Sequence, residues 1–308
     1  MKLSVLLPEL LPQYAFRVEN EQEFSTLGLV VSPVEEPFCA FVENEKALYT
    51  IGDNAVMVIT TPDLAPKLLT QRRGVCVTAQ PRVVFFRLHN ALARHGGYAR
   101  PHFATKIGKN CSISPLAVIA GENVVIGDNV TVEEFAVIRD NVTIGDNCVI
   151  HAGVKIGFGD FEYKKENGQL FSVDHCGGVI LGRDVELHSN TCVNKALYPW
   201  DNTVLGDRCK IDMLVQISHG VKVGNDTMIV GLSGIGGRTE IGENSWIGYG
   251  CIVRNGVHIG SNARANMGAV VSRDVADGQA VTGNFAIDHD IFMENLKRAA
   301  KPTKERNE

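Results

Sequence analysis

The chain has 308 residues, 44% hydrophobic and 21% charged, which is the composition of a folded globular protein and excludes wholesale disorder. A net charge of −5 gives no overall basic field for nucleic acid, and no stretch approaches the ~18 uninterrupted apolar residues of a membrane span. Eight cysteines stand singly, with neither CxxC metal spacing nor a small disulfide scaffold, so a reduced, cytoplasmic compartment is expected.

Residues 1–100 read as a small α/β domain. The short apolar run at the start is interrupted by Pro8, Glu9 and Pro12, and no signal peptide is expected. Strands are predicted over 38–43, 55–60 and 74–79. Helices are predicted after Pro62 and over 82–94, where Val84, Leu88 and Leu92 share one face. Residues 95–106 read as a linker.

A period of six then takes over. Ile107, Ile113 and Ile119 are followed by a one-residue slip and by Ile126, Val132, Ile138, Ile144, Ile150 and Ile156. A second run goes from Leu181 to Val271 in one register, with Pro199 and Ala265 filling places otherwise aliphatic, for 25 hexads in all. Four positions after the aliphatic residue the side chain is usually small or β-branched, as at Cys111, Ala136, Cys209 and Ser233. Gly and Asn recur where a coil must turn. This is the signature of a left-handed parallel β-helix, mainly β, with three hexads to an 18-residue coil and about eight coils across 101–286.

Residues 157–180 interrupt the array and are expected to project from one corner as a loop carrying Phe158, Phe161, Tyr163, Phe171 and His175. Its aromatic content suits a bound substrate or packing on the coil below. Residues 287–308 read as a C-terminal helix and tail, capped by Asp288 or Asp290, with Phe292, Leu296 and Ala299 on its apolar side.

A solenoid needs a site before it has a function. His219 follows its hexad aliphatic by two residues, where the chain rounds a corner. One coil of 18 residues puts Asp201 before it and Gly237 after it in the same column. A carboxylate there would orient the imidazole, and a glycine N–H would face an oxyanion; a solvated His–Asp pair is the other reading. His151, His188 and His258 also lie near turns, but no HxxxH or CxxC pair supplies two local ligands, so no metal is expected. P-loop and GxSxG patterns are absent from the sequence.

The segment IDMLVQISHGVKVG and its hexads resemble the hexapeptide-repeat acyltransferases, most closely those that N-acylate UDP-3-O-acylglucosamine in lipid A synthesis. In FVENEKAL, Phe41, Asn44 and Lys46 match that family's uracil-binding stretch, with Ala47 in place of a tyrosine. Gly157, Phe161 and Tyr163 match its loop motif, and Asp212, Gln216 and His219 its catalytic stretch.

The resemblance implies His219 as general base, Gly237 as oxyanion N–H donor, and substrate contacts from Phe41, Asn44, Lys46, Phe161, Tyr163, His175, Asp212 and Gln216. It also implies a homotrimer with its site between subunits and no tightly bound cofactor. The co-substrate would be an acyl-carrier-protein or coenzyme A thioester, and the acceptor a nucleotide-linked amino sugar.

Departures are Gly220 where that family has Asn, a 194–203 segment two residues longer, and Gly256 near the place of a second family histidine, with His258 two residues off. The stretch 267–286 resembles the closing motif of coenzyme A-dependent acetyltransferases, with Phe285 in place of proline. Acetylation of a nucleotide amino sugar for O-antigen or another surface glycan is therefore the second expectation. A non-catalytic trimeric scaffold or sensor is the third.

Overall fold

The computed structural model describes residues 1–95, 97–283 and 286–300, the side chain of Ala300 excepted. From Lys106 onward each hexad contributes a short strand of two to four residues, and a corner follows it. The strands stack into three parallel sheets of nine, eight and eight strands, the faces of a left-handed β-helix. Ile126 pairs with Ile144 and Val223 with Ile241, one coil apart. The aliphatic residues stack inside as one continuous core in which every hexad position from Ile126 to Val271 except Pro199 is at most 5% exposed. The one-residue slip is absorbed at the first coil, where Ile107 pairs with Ile126 across 19 residues.

Corners fall in columns of left-handed backbone. Asn110, Asn129, Asn147, Asp184, Arg208, Asp226, Asn244 and Asn262 form one, with φ between 53° and 61°. Gly220, Arg238 and Gly256 belong to another, at φ 69°, 57° and 67°. Asn and Gly accept this conformation cheaply; Phe135, Leu214 and Leu232 are held in it by the coils above and below.

The Leu181–Val271 register is not the unbroken run that the spacing suggests. Cys192 pairs with Gln216, 24 residues on, while Val204 pairs with Lys222, 18 on. Residues 195–200 therefore leave the coil, and Pro199 occupies no core position. The insertion is one hexad long, so a period of six runs through it undetected.

The insertion fastens the helix to the N-terminal region. Leu197 and Tyr198 are buried with Leu3, Phe24, Phe85 and Leu88 in one cluster. The Trp200 ring stacks on Tyr198 at 5.6 Å, and its indole N–H donates to the Leu27 carbonyl at 2.8 Å. There a five-stranded sheet runs in the order Arg17–Glu19, Gly74–Val77, Met57–Thr60, Phe38–Val42, Thr26–Leu27, antiparallel only at its first pair. The helix Pro81–Leu92 packs on it through Val84, Leu88 and Leu92.

Another helix, Leu3–Leu10, forms in spite of Pro8, because Leu3 and Leu7 are wholly buried. The C-terminal helix His289–Ala300 is capped by Asp288, whose Oδ1 accepts from the Asp290 and Ile291 N–H groups. Residues 301–308 of the expected tail, and Phe285, lie outside the described residues. No helix among the described residues is long and apolar enough to cross a membrane.

Truncating a stacked aliphatic leaves a hole that neighbouring coils cannot close. Ile235→Ala is expected to cost about 2–5 kcal/mol in urea unfolding, whereas Thr143→Ala on an outward-facing strand position changes stability by under ~0.5 kcal/mol.

Candidate active site

In this coil the second residue after each strand has its N–H outside the inter-coil ladder. Side chains of an adjacent coil take several of these groups: Asp128 accepts from Lys109 N–H, Asn225 from Asp207 and Asp212 from Gly231. His219 occupies such a position, following the strand Gln216–Ile217, and is 5% exposed.

Its N–H is taken by the loop instead. Asp160 Oδ2 accepts from the His219 backbone at 3.0 Å and lies 2.7 Å from the ring Nδ1. A carboxylate only accepts, so Nδ1 carries the proton and Nε2 is the basic nitrogen. That Nε2 is buried without a hydrogen-bond partner, 3.8 Å from Glu162 Oε2. Burial opposes the charge of Asp160, but the His219 ring, its backbone N–H and that of Phe161 hold the carboxyl well below the usual range. Burial likewise opposes the charge of Glu162, and its pairing with Lys164 pulls the pKa down.

Asp201, expected to orient His219, stands elsewhere. Its Oδ1 accepts from Lys222 Nζ at 2.6 Å and from the Asn202 N–H, because the preceding coil has been drawn away into the 195–200 insertion. Gly237 does fall against His219. A Cβ added to it would lie 2.6 Å from both Cε1 and Nε2 of the imidazole, so glycine is required by the ring. Its N–H has no protein acceptor among the described residues, as at several other corners.

The loop is a hairpin, Tyr163–Glu166 against Gln169–Ser172. It folds back on the helix Pro81–Leu92 rather than projecting: Arg87 lies 3.9 Å over the Phe171 ring and pairs with Glu166 at 2.6 Å. Alternation along its first arm turns Asp160 and Glu162 inward. Phe161, 87% exposed, and Tyr163 lie against each other outside, their tilted rings 4.9 Å apart. The acids stand between the Gly157, Phe161 and Tyr163 of the loop motif; alternation there puts them on one face, but only the fold brings that face to His219, 59 residues on.

His175 closes the other side, its ring 5.6 Å from His219 and edge-on to it, with a buried and unpartnered Nε2. Burial and the neighbouring His219 push its pKa down to about 4. Next to the His219 corner a cavity of about 370 Å³ is lined by Tyr198, Trp200, Gly220, Lys222, Arg238 and Gly256.

The remaining candidates are spread out. Phe41 packs on Phe85 and Phe86 at 4.9 and 5.7 Å, and Asn44 caps the helix Glu45–Leu48 by accepting from the Ala47 N–H. Lys46 is exposed on that helix. Asp212 sits at a different corner, where it accepts from the Gly231 and Met213 N–H groups. Gln216 points outward on the strand before His219 and donates to Ser218. His258 lies on an outward face, 3.5 Å from Glu240.

The six-residue repeat that builds this solenoid is matched by two family models. Residues 123–157 match the bacterial transferase hexapeptide (six repeats) family, and residues 238–273 the hexapeptide repeat of succinyl-transferase. The chain is similar to a UDP-3-O-acylglucosamine N-acyltransferase of Delftia acidovorans, 34% identical over 144 residues, which is 47% of this chain and 42% of that protein. It is also similar to UDP-3-O-acylglucosamine N-acyltransferase 2 of Legionella pneumophila, 35% identical over 157 residues, 50% of this chain and 45% of that one. The matches thus span less than half the length of these curated relatives. Among solved structures, the UDP-N-acetylglucosamine acyltransferase of Campylobacter jejuni shares the fold, with TM-score 0.53, 19% identity, and 64% of this chain and 79% of that one covered. The Arabidopsis UDP-N-acetylglucosamine acyltransferase is similar, with TM-score 0.52, 25% identity, and 65% and 69% covered.

Two outcomes follow from this geometry. Gly237→Ala places a methyl against the His219 ring and is expected to abolish measurable turnover while the unfolding midpoint moves little. His175 has an ordinary pKa of 6.5 when unfolded and about 4 when folded, so the unfolded chain binds more protons between these values. Its contribution is complete above pH 6.5 and fades as pH falls toward about 4, by up to about 3 kcal/mol. Denaturation across this range is expected to be less pH-dependent in His175→Gln.

Proposed function

We propose that the chain is an N-acyltransferase. It moves an acyl group from a pantetheine thioester, carried by acyl carrier protein or coenzyme A, to the amine of a nucleotide-linked amino sugar, as in lipid A synthesis. The observation that carries this reading is His219, with Nδ1 held by Asp160 and Nε2 left basic beside Gly237. The names of the similar proteins support the acyl-transfer class.

In the reaction the amine attacks the thioester carbonyl, the C–N bond forms, and the C–S bond breaks to release the thiol. His219 Nε2 takes the amine proton, Asp160 stabilises the imidazolium, and the proton passes on to the departing sulfur. The Gly237 N–H donates to the developing oxyanion. Glu162 covers Nε2, so the Glu162–Lys164 pair swings aside to admit the amine. Arg238 and Trp200 give the adjacent cavity a cation and an aromatic face suited to a nucleoside diphosphate, beside the Lys222–Asp201 pair and Glu240. The unit works as a cytoplasmic homotrimer, with the 1–100, 101–286 and 287–308 segments as nucleotide-binding domain, catalytic solenoid and C-terminal helix with tail.

The test is thiol release by purified protein offered UDP- and dTDP-amino sugars with acetyl-coenzyme A or 3-hydroxyacyl carrier protein. Release from the carrier protein with acylated UDP-glucosamine supports lipid A chemistry; release from acetyl-coenzyme A moves the chain to glycan acetylation. His219→Ala is expected to lose roughly 10²–10⁴-fold in rate while remaining folded, and Asp160→Asn a similar factor through the wrong tautomer. Unchanged turnover in His219→Ala would overturn the mechanism, and silence with every pair would favour a scaffold.

A further inference from the structure

A second histidine cluster lies on another sheet and takes no part in the chemistry above. Successive coils there stack Glu133, His151 and His188 in one column: the His151 N–H bonds the Leu187 carbonyl, and the Glu133 N–H that of Ile150. Glu186 comes up beside them from the strand Glu186–Leu187. His151 Nε2 is 3.0 Å from Glu186 Oε1, and His188 Nε2 is 3.5 Å from the same oxygen. One ligand atom from each of the three residues lies within 4.8 Å of the others.

We propose that His151, His188 and Glu186 form a binding site for a divalent cation of the zinc type. Four tetrahedral donors at about 2.0–2.2 Å from such an ion stand roughly 3.3–3.6 Å apart, close to the spacing found here. Two imidazoles with one carboxylate suit zinc, cobalt or nickel rather than calcium or magnesium.

The surroundings are those of a ligand set. Glu133 Oε1 lies 3.1 Å from His151 Nδ1, so that nitrogen keeps its proton and the Nε2 lone pair faces the centre. Lys210 sits 3.4 Å from Glu186 Oε2, occupying one carboxylate oxygen and leaving Oε1 to the ion. The imidazole rings are 4.7 Å apart and share that one oxygen, which an ion between them satisfies better than two competing N–H donors.

Three protein donors leave a fourth position for water. The ion would bridge coils whose strands pair Val149 with Glu186, 37 residues apart, because the loop bearing Asp160 departs between them. It is therefore a bolt at the root of that loop.

The experiment uses untagged full-length protein, stripped with chelator and then equilibrated with zinc, and measures metal per chain and melting temperature. One zinc per chain and a rise in melting temperature of several degrees are expected. His188→Ala and Glu186→Gln should each weaken uptake by at least about 10-fold, and Glu133→Gln, which leaves all three donors in place, by roughly 10–100-fold. His258→Ala, distant from the cluster, should bind as the parent does. No stoichiometric uptake, or uptake that persists in His151→Gln/His188→Ala because thiols hold the ion, would overturn the proposal. A zinc site that fails leaves the acyl-transfer reading untouched, since that is judged by thiol release.

Discussion

Coil-on-coil stacking is the constraint from which the rest follows. Each aliphatic hexad residue is buried only because a like residue lies above and below it, so the chain must return to the same three corners at a fixed interval. That return forces left-handed backbone at the corners and places one N–H per corner outside the ladder. The site uses these two by-products. At His219 the orphan N–H recruits a loop carboxylate, and at Gly237 it has no protein acceptor among the described residues while the Cα lies against the imidazole of the coil before.

The loop is as necessary to the site as the coil. Asp160 satisfies a backbone donor and fixes an imidazole tautomer with a single oxygen. It can do so because the hairpin beyond it is clamped to the N-terminal helix by Arg87, Glu166 and Phe171. His175 returns from the far end of the same loop to wall off the ring. The N-terminal region thus bears on the surroundings of His219 through the loop.

Periodicity made the solenoid legible before any coordinates, as it did the helix face of Val84, Leu88 and Leu92. The column of His219 and Gly237 was legible for the same reason, since the coils from residue 202 to Val271 keep to 18. Asp201 was misjudged because an insertion of one whole hexad is invisible to a period of six, and column arithmetic carried straight through it. Asp160 was missed because a hairpin brings it across 59 residues of sequence, and no local spacing encodes that.

The six-residue insertion has one more implication. Because residues 195–200 add chain without adding a rung, the solenoid's length and pitch do not depend on them. They form a removable bracket: excised, the coil would close and keep its rungs, while Trp200 and Tyr198 would no longer hold the N-terminal sheet. Attachment of the accessory region and propagation of the helix are therefore separable traits. A lineage could lose or exchange the first without disturbing the second.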